Sequence, residues 1–244
     1  MSAATKIVLI TGGNNGIGLA ACELFSARSG YHCIMASRSL DKGRKSLASI
    51  KSSNPSAVIS LVQLDINSDD SIKAAVDEVK SAQGRVDVLI NNAGICPDDF
   101  SREQVREAVE TNATSPALVT AAFAPLLLKS ESPRLIYVSS VMGSIAMRAN
   151  LGKKYKAYAV SKAALNMVVA SDAFEYQDKI KIFAFCPGYV VSDLAGIRKQ
   201  KEEEGVALTP DTSARGLFAI AEGERDAEEG KFLHGEKAGE LYPW

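Results

Sequence analysis

The sequence predicts an α/β protein, a doubly wound parallel sheet of about seven strands with helices on both faces. Three observations lead there. Short runs rich in Val, Ile and Leu alternate with longer segments of helical periodicity, the pattern of strands buried on both sides and joined by helical crossovers. The first run ends in a glycine-rich turn that opens a helix. Finally, 244 residues with 46% hydrophobic side chains suit one core, burying roughly 70% of the surface of an extended chain. No repeat or low-complexity linker divides it, so residues 1–244 read as a single domain.

Strands are predicted at Lys6–Thr11, His32–Ser37, Val58–Leu64, Val86–Ile90, Leu135–Ser139, Ile180–Cys186 and Lys231–Leu233. Between the first two, Ile17, Ala21, Leu24 and Phe25 share one helical face; Ile72, Val76 and Val79 line another before the fourth strand. Val105 to Leu128 is helical with a polar break around Asn112, and KAYAVSKAALNMVV scores well as helix. After Pro187 about 20 residues pass without a clear strand. Residues 188–210 therefore read as a substrate-side lid, whose RKQKEEE segment (Arg198 to Glu204) sets Arg198 with Glu202 and Lys199 with Glu203 at i,i+4 spacing, with Leu194 and Ile197 on the other face.

The 28 basic and 29 acidic side chains leave a net charge of -1, which gives no electrostatic case for nucleic acid or an anionic membrane as partner. Cys22, Cys33, Cys96 and Cys186 form no CxxC pair and sit in or beside apolar runs, as expected of reduced, buried thiols in a cytoplasmic protein. With His32 and His234 the only histidines, no metal site is expected. The apolar run Ile7 to Ile10 is too short for a signal peptide or a membrane span.

Candidate chemistry gathers at the C-terminal ends of the predicted strands. Gly12, Gly16 and Gly18 follow the first strand, where glycine lets backbone approach a pyrophosphate and the free amides of a first helical turn face its charge. At the end of the second strand, where an NAD site offers an acid to the ribose diol, the sequence reads Ser37-Arg38. The guanidinium fork suits a 2'-phosphate and small Ser37 admits it, so NADP(H) is the expected cofactor. Asp65, after the third strand, is placed to accept from the adenine amino group, and Asn91-Asn92-Ala93-Gly94 after the fourth marks a third corner of the same cleft.

Tyr158 and Lys162, four apart on a helix, present a phenol and an ammonium on one face. The cation is expected to lower the phenol's pKa and make it a proton donor to a developing alkoxide. Ser139 and Ser140, ending the fifth strand, offer a hydroxyl to a substrate oxygen, and Asn112 is placed to hold a water leading from Lys162 to solvent.

In this order the residues resemble the short-chain dehydrogenase/reductase family: Thr11-Gly12-x-x-x-Gly16-x-Gly18, Asn91-Asn92-Ala93-Gly94, Asn112, Ser140, Tyr158-x-x-x-Lys162 and Pro187-Gly188. The resemblance spans essentially the whole chain and implies a Rossmann-type fold with Asn112, Ser140, Tyr158 and Lys162 as a catalytic tetrad. It implies NADP(H) contacts from Thr11, Gly12, Asn14, Asn15, Gly16, Ile17 and Gly18, from Ser37, Arg38, Asp65 and Ile66, and from Asn91, Ala93 and Gly94. Tyr158, Lys162, Pro187, Gly188 and Val190 complete that set, with Ser192 in the place of the family's usual threonine. The serine-to-tyrosine interval is longer than is common in the family, so Met142 to Lys156 is expected to form an enlarged loop that brings Met142, Ile145, Met147, Leu151 or Tyr155 to the substrate.

The closing segment GKFLHGEKAGELYPW resembles the tails of carbonyl-reductase-like members. The implied activity is reduction of a ketone or aldehyde, with an apolar small-molecule carbonyl as substrate. NADP+-dependent oxidation of a secondary alcohol and a non-catalytic NADP(H) sensor or scaffold are the alternatives. The resemblance also implies a homodimer or homotetramer using the helices around Leu118–Leu128 and Tyr158–Phe174.

Overall fold

The computed structural model describes residues 5–196, 202–203 and 205–244. In chain order the elements are β1 (Lys6–Thr11), α1 (Gly16–Ser26), β2 (Tyr31–Ser37), α2 (Leu40–Ser53), β3 (Ile59–Gln63), α3 (Asp69–Gln83) and β4 (Val88–Asn91). There follow α4 (Arg102–Val109), a π-helical turn (Glu110–Thr114), α5 (Ser115–Leu127), β5 (Arg134–Val138), α6 (Lys156–Glu175), β6 (Lys181–Cys186), α7 (Pro210–Glu222), β7 (Phe232–His234) and β8 (Leu241–Tyr242). The strands form one sheet in the order β3-β2-β1-β4-β5-β6-β7-β8. β1 to β7 are parallel, and β8 runs antiparallel to β7.

The two-residue period of a strand builds both layers at once. In β1, Ile7 and Leu9 face one core with Ile72 and Val79 of α3, Phe123 of α5 and Leu165 of α6. Val8 and Ile10 face the other, with Ala21 and Phe25 of α1, Ile50 of α2 and Leu217 of α7. Phe25 and Phe123 are fully buried, and each contributes about 2–3 kcal/mol by leaving water. The expected seven strands are all present within two residues of their predicted limits. The eighth is an addition, too short to show a period in the sequence.

Because β1 lies between β2 and β4, the chain departs in opposite directions from the centre of the sheet, and a crevice opens at the strands' C-terminal ends. The polar break expected near Asn112 is the π-helical turn between α4 and α5, the kind of local widening that often marks a functional site. No helix among the described residues is long and apolar enough to cross a membrane.

Candidate active site

A cleft of about 700 Å³ crosses these strand ends. On one side stand Gly12, Asn14, Asn15, Gly16 and Ile17, between β1 and α1; Gly12 and Gly16 have φ of +64° and +54°, a turn that side chains resist. Gly18 lies behind this loop rather than in the cleft. A Cβ there would sit 2.4 Å from the Gly12 carbonyl oxygen and 2.5 Å from Asn92 Nδ2, so α1 can approach β1 only with glycine at 18. Gly18→Ala is expected to cost about 1–3 kcal/mol and lower Tm by about 3–10 °C, read by calorimetry.

Thr11, 1% exposed, ties the β1 and β4 loops together: its Oγ1 accepts from the amides of Asn92 (2.9 Å) and Ala93 (3.0 Å), and its carbonyl accepts from Asn92 Nδ2 (2.8 Å). Asn92, not Asn91, therefore does the tying. Asn91 is buried and donates to Thr120 Oγ1 at 2.9 Å, away from the cleft. Ser37, Arg38, Asp65, Ile66, Ala93 and Gly94 line the cleft as expected. Ser37 is oriented by donating to Asn14 Oδ1 at 3.0 Å. Lys42, on the first turn of α2, joins Arg38 there as a second cation. Its position in a helix, past the strand end, hid it from a reading based on strand ends.

At the other end lie Tyr158 and Lys162 of α6, 8% and 4% exposed. Lys162 Nζ stands 5.7 Å from the Tyr158 ring centre and donates to the Val138 carbonyl at 2.8 Å. Burial drives the phenol well above its ordinary pKa, with the Cys96 thiol adding to the rise and the hydrogen bond to Ser140 opposing it. The expected lowering by Lys162 is thus overturned: desolvation dominates, and the same burial pushes the lysine itself down to about 8. The two serines differ in their surroundings: Ser139 lines the cleft and Ser140 does not. Ser139 Oγ donates to Asn166 Oδ1 at 2.5 Å, whereas Ser140 meets the Tyr158 hydroxyl.

Asn112, fully buried, donates from Nδ2 to the Ile95 carbonyl and to Ser161 Oγ, both at 2.8 Å, and accepts the Ile95 amide on Oδ1. Both amide hydrogens are committed within the protein, so the side chain clamps the loop after β4 to α6. Gly94 beside it is equally constrained, since a Cβ would lie 2.9 Å from Asn112 Oδ1.

Pro187 and Ser192 line the cleft, while Gly188 and Val190 sit behind it; Val190 bridges Leu208, and the Val191 amide donates to the Leu208 carbonyl at 2.9 Å. Of the expected lid pairs, Arg198, Lys199 and Ile197 lie outside the described residues. The enlarged loop departs from expectation: none of Met142, Ile145, Met147, Leu151 and Tyr155 lines the cleft, and Ile145 is 79% exposed. Ile95, Cys96, Asp98 and Leu194 line it instead. Cys96, half-buried here, was expected to be a core thiol; its place on the rim just past β4 was the available signal.

A family model described as short chain dehydrogenase matches residues 6–203. The short-chain dehydrogenase anuI of Penicillium roqueforti is 34% identical over 219 residues, covering 84% of this chain and 86% of that one. The short-chain dehydrogenase/reductase tropE of Talaromyces stipitatus is 29% identical over 262 residues, 98% of each chain. Among solved structures, an NADPH-bound carbonyl reductase from chicken fatty liver superposes with a TM-score of 0.85 at 28% identity, covering 99% of this chain and 100% of that one.

Proposed function

Because the chain belongs to the short-chain dehydrogenase family, whose model spans residues 6–203, we propose that it is an NADPH-dependent reductase of ketones or aldehydes. Membership makes it an oxidoreductase; cofactor, direction and substrate class are the proposal. The observation that carries it is one continuous cleft with Arg38 and Lys42 at one end and Tyr158 and Lys162 at the other.

The residues present fit NADP(H). Two cations beside Ser37 suit a 2'-phosphate, and the positive-φ glycines and the first turn of α1 suit a pyrophosphate. The likeness to the chicken reductase, whose crystal holds NADPH, supports the same reading. When bound, NADPH supplies the hydride. Ser140 then donates a hydrogen bond to the carbonyl oxygen, Tyr158 delivers the proton, and Lys162 stabilises the phenolate left behind. The side chains at the chemical end, Ile95, Cys96 and Leu194 among them, favour an apolar carbonyl substrate.

The test is consumption of NADPH, followed by its near-ultraviolet absorbance, against a panel of quinones, ketones and aldehydes, beside NADP+ with secondary alcohols. Turnover with carbonyls is expected. Turnover with alcohols alone would make it a dehydrogenase, and tight NADPH binding without turnover a sensor or scaffold. Arg38→Ala is expected to weaken NADPH binding by at least about tenfold, one charge-assisted hydrogen bond, while NADH affinity stays unchanged in a fluorescence titration. The proposal extends to a homodimer or homotetramer, supported by exposed Leu118, Met167 and Phe174 on α5 and α6 and testable by sedimentation.

A further inference from the structure

We infer that Cys186 is a positioning residue for Ser140, tying the loop that carries this serine to the Pro187-Gly188 turn and to residues 242–244. The inference rests on the proposed reductase reading only for what the positioning serves.

Cys186 is the last residue of β6 and is 1% exposed. Its Sγ accepts the amide of Val141, the residue after Ser140, at 3.2 Å. It also accepts the Gly188 amide and meets the Tyr242 hydroxyl. Sulfur is a weak acceptor, and any one of these bonds would fix little. Their convergence matters more, because the three partners come from segments far apart in sequence, two of which flank the chemical end of the cleft.

Residues 242–244 hold the same loop from its other side. Ser144 Oγ, fully enclosed, donates to the Pro243 carbonyl at 2.7 Å, and the Ala146 amide donates to the Trp244 carbonyl at 3.1 Å. A two-residue strand is a weak anchor by itself, but here aromatic stacking reinforces it. Trp244 lies on Phe232 with ring centres 5.4 Å apart and an interplanar angle of 15°, and Tyr242 lies on His234 at 5.0 Å and 22°. These contacts hold Ser144 and Ala146 of the loop against residues 243–244. Ser140 Oγ accepts the Met142 amide at 3.2 Å and meets Tyr158, so a shift of the loop moves the hydroxyl that must bind the carbonyl oxygen.

The experiment combines hydrogen–deuterium exchange of the free chain over residues 140–148 with steady-state kinetics. Variants are Cys186→Ala, Cys186→Ser, Tyr242→Phe and Trp244→Ala. Cys186→Ala is expected to speed exchange in that segment by roughly threefold or more and to lower kcat with a carbonyl substrate by about tenfold, leaving the NADPH dissociation constant within about twofold. Cys186→Ser, which keeps an acceptor, should recover at least about half of the lost rate. Tyr242→Phe and Trp244→Ala should loosen the same segment. Unchanged exchange at 140–148, or a rise spread evenly over the molecule with NADPH affinity lost in parallel, overturns the inference. A wild-type chain inert toward carbonyls would sink the reductase reading and leave the exchange data to decide on the tether.

Discussion

Tyr158→Phe is expected to lower turnover of a carbonyl substrate by about 100- to 10,000-fold while NADPH affinity stays within about twofold. The substitution removes one hydroxyl and keeps the ring, which is 8% exposed and packed in its pocket, so the cleft retains its shape. What disappears is the only phenol among the described residues that lines the cleft beside Lys162. Burial drives its pKa upward, so at neutral pH the group waits in its protonated form. That state suits a donor, since reduction needs an acid at the carbonyl oxygen. Stopped-flow single turnovers separate the chemical step from binding and release, and a variant that turns over at the wild-type rate would remove Tyr158 from the mechanism.

The tyrosine and lysine were legible because helical spacing alone puts them on one face, and the seven parallel strands because each buried run carries its own apolar signature. Asn91 and Asn92 show where that legibility ends. Successive residues leaving a strand point to opposite sides; Asn91 stands opposite Tyr137 in the register with β5 and turns into the α5 side, which leaves Asn92 for the cleft. A motif names the pair, and only the register separates its members. The stretch around Ser144 and Ala146 was less legible still, since these two residues bond to Pro243 and Trp244, about a hundred positions away. The direction of the Tyr158 shift failed for a related reason. Proximity of a cation can be read from spacing, but the competing desolvation depends on everything packed around the pair.

Lys162→Met is expected to reduce turnover by about 100-fold or more, since the phenolate formed on Tyr158 loses its counter-charge, and to change how stability depends on pH. Burial pushes the lysine from an ordinary value of 10.5 down to about 8. Between those two pH values the unfolded chain holds a proton that the folded chain has released, so wild-type stability rises with pH across that window. The penalty for burying the charge is fully present below about pH 8 and vanishes above 10.5. At its largest it corresponds to about 3 kcal/mol. Methionine carries no such term, so the variant's stability should lack this rise. The Val138 carbonyl, which accepts from Nζ at 2.8 Å, loses its donor in the variant at a cost of about 1–3 kcal/mol. That cost does not depend on pH; it displaces the variant's curve and leaves its slope alone. Urea melts of both proteins at intervals from neutral pH to pH 10 read the slope directly, with the wild type gaining on the variant as pH rises. Parallel curves would show that Lys162 keeps its charge throughout and that the surrounding protein, chiefly the Val138 carbonyl, solvates it about as well as water does.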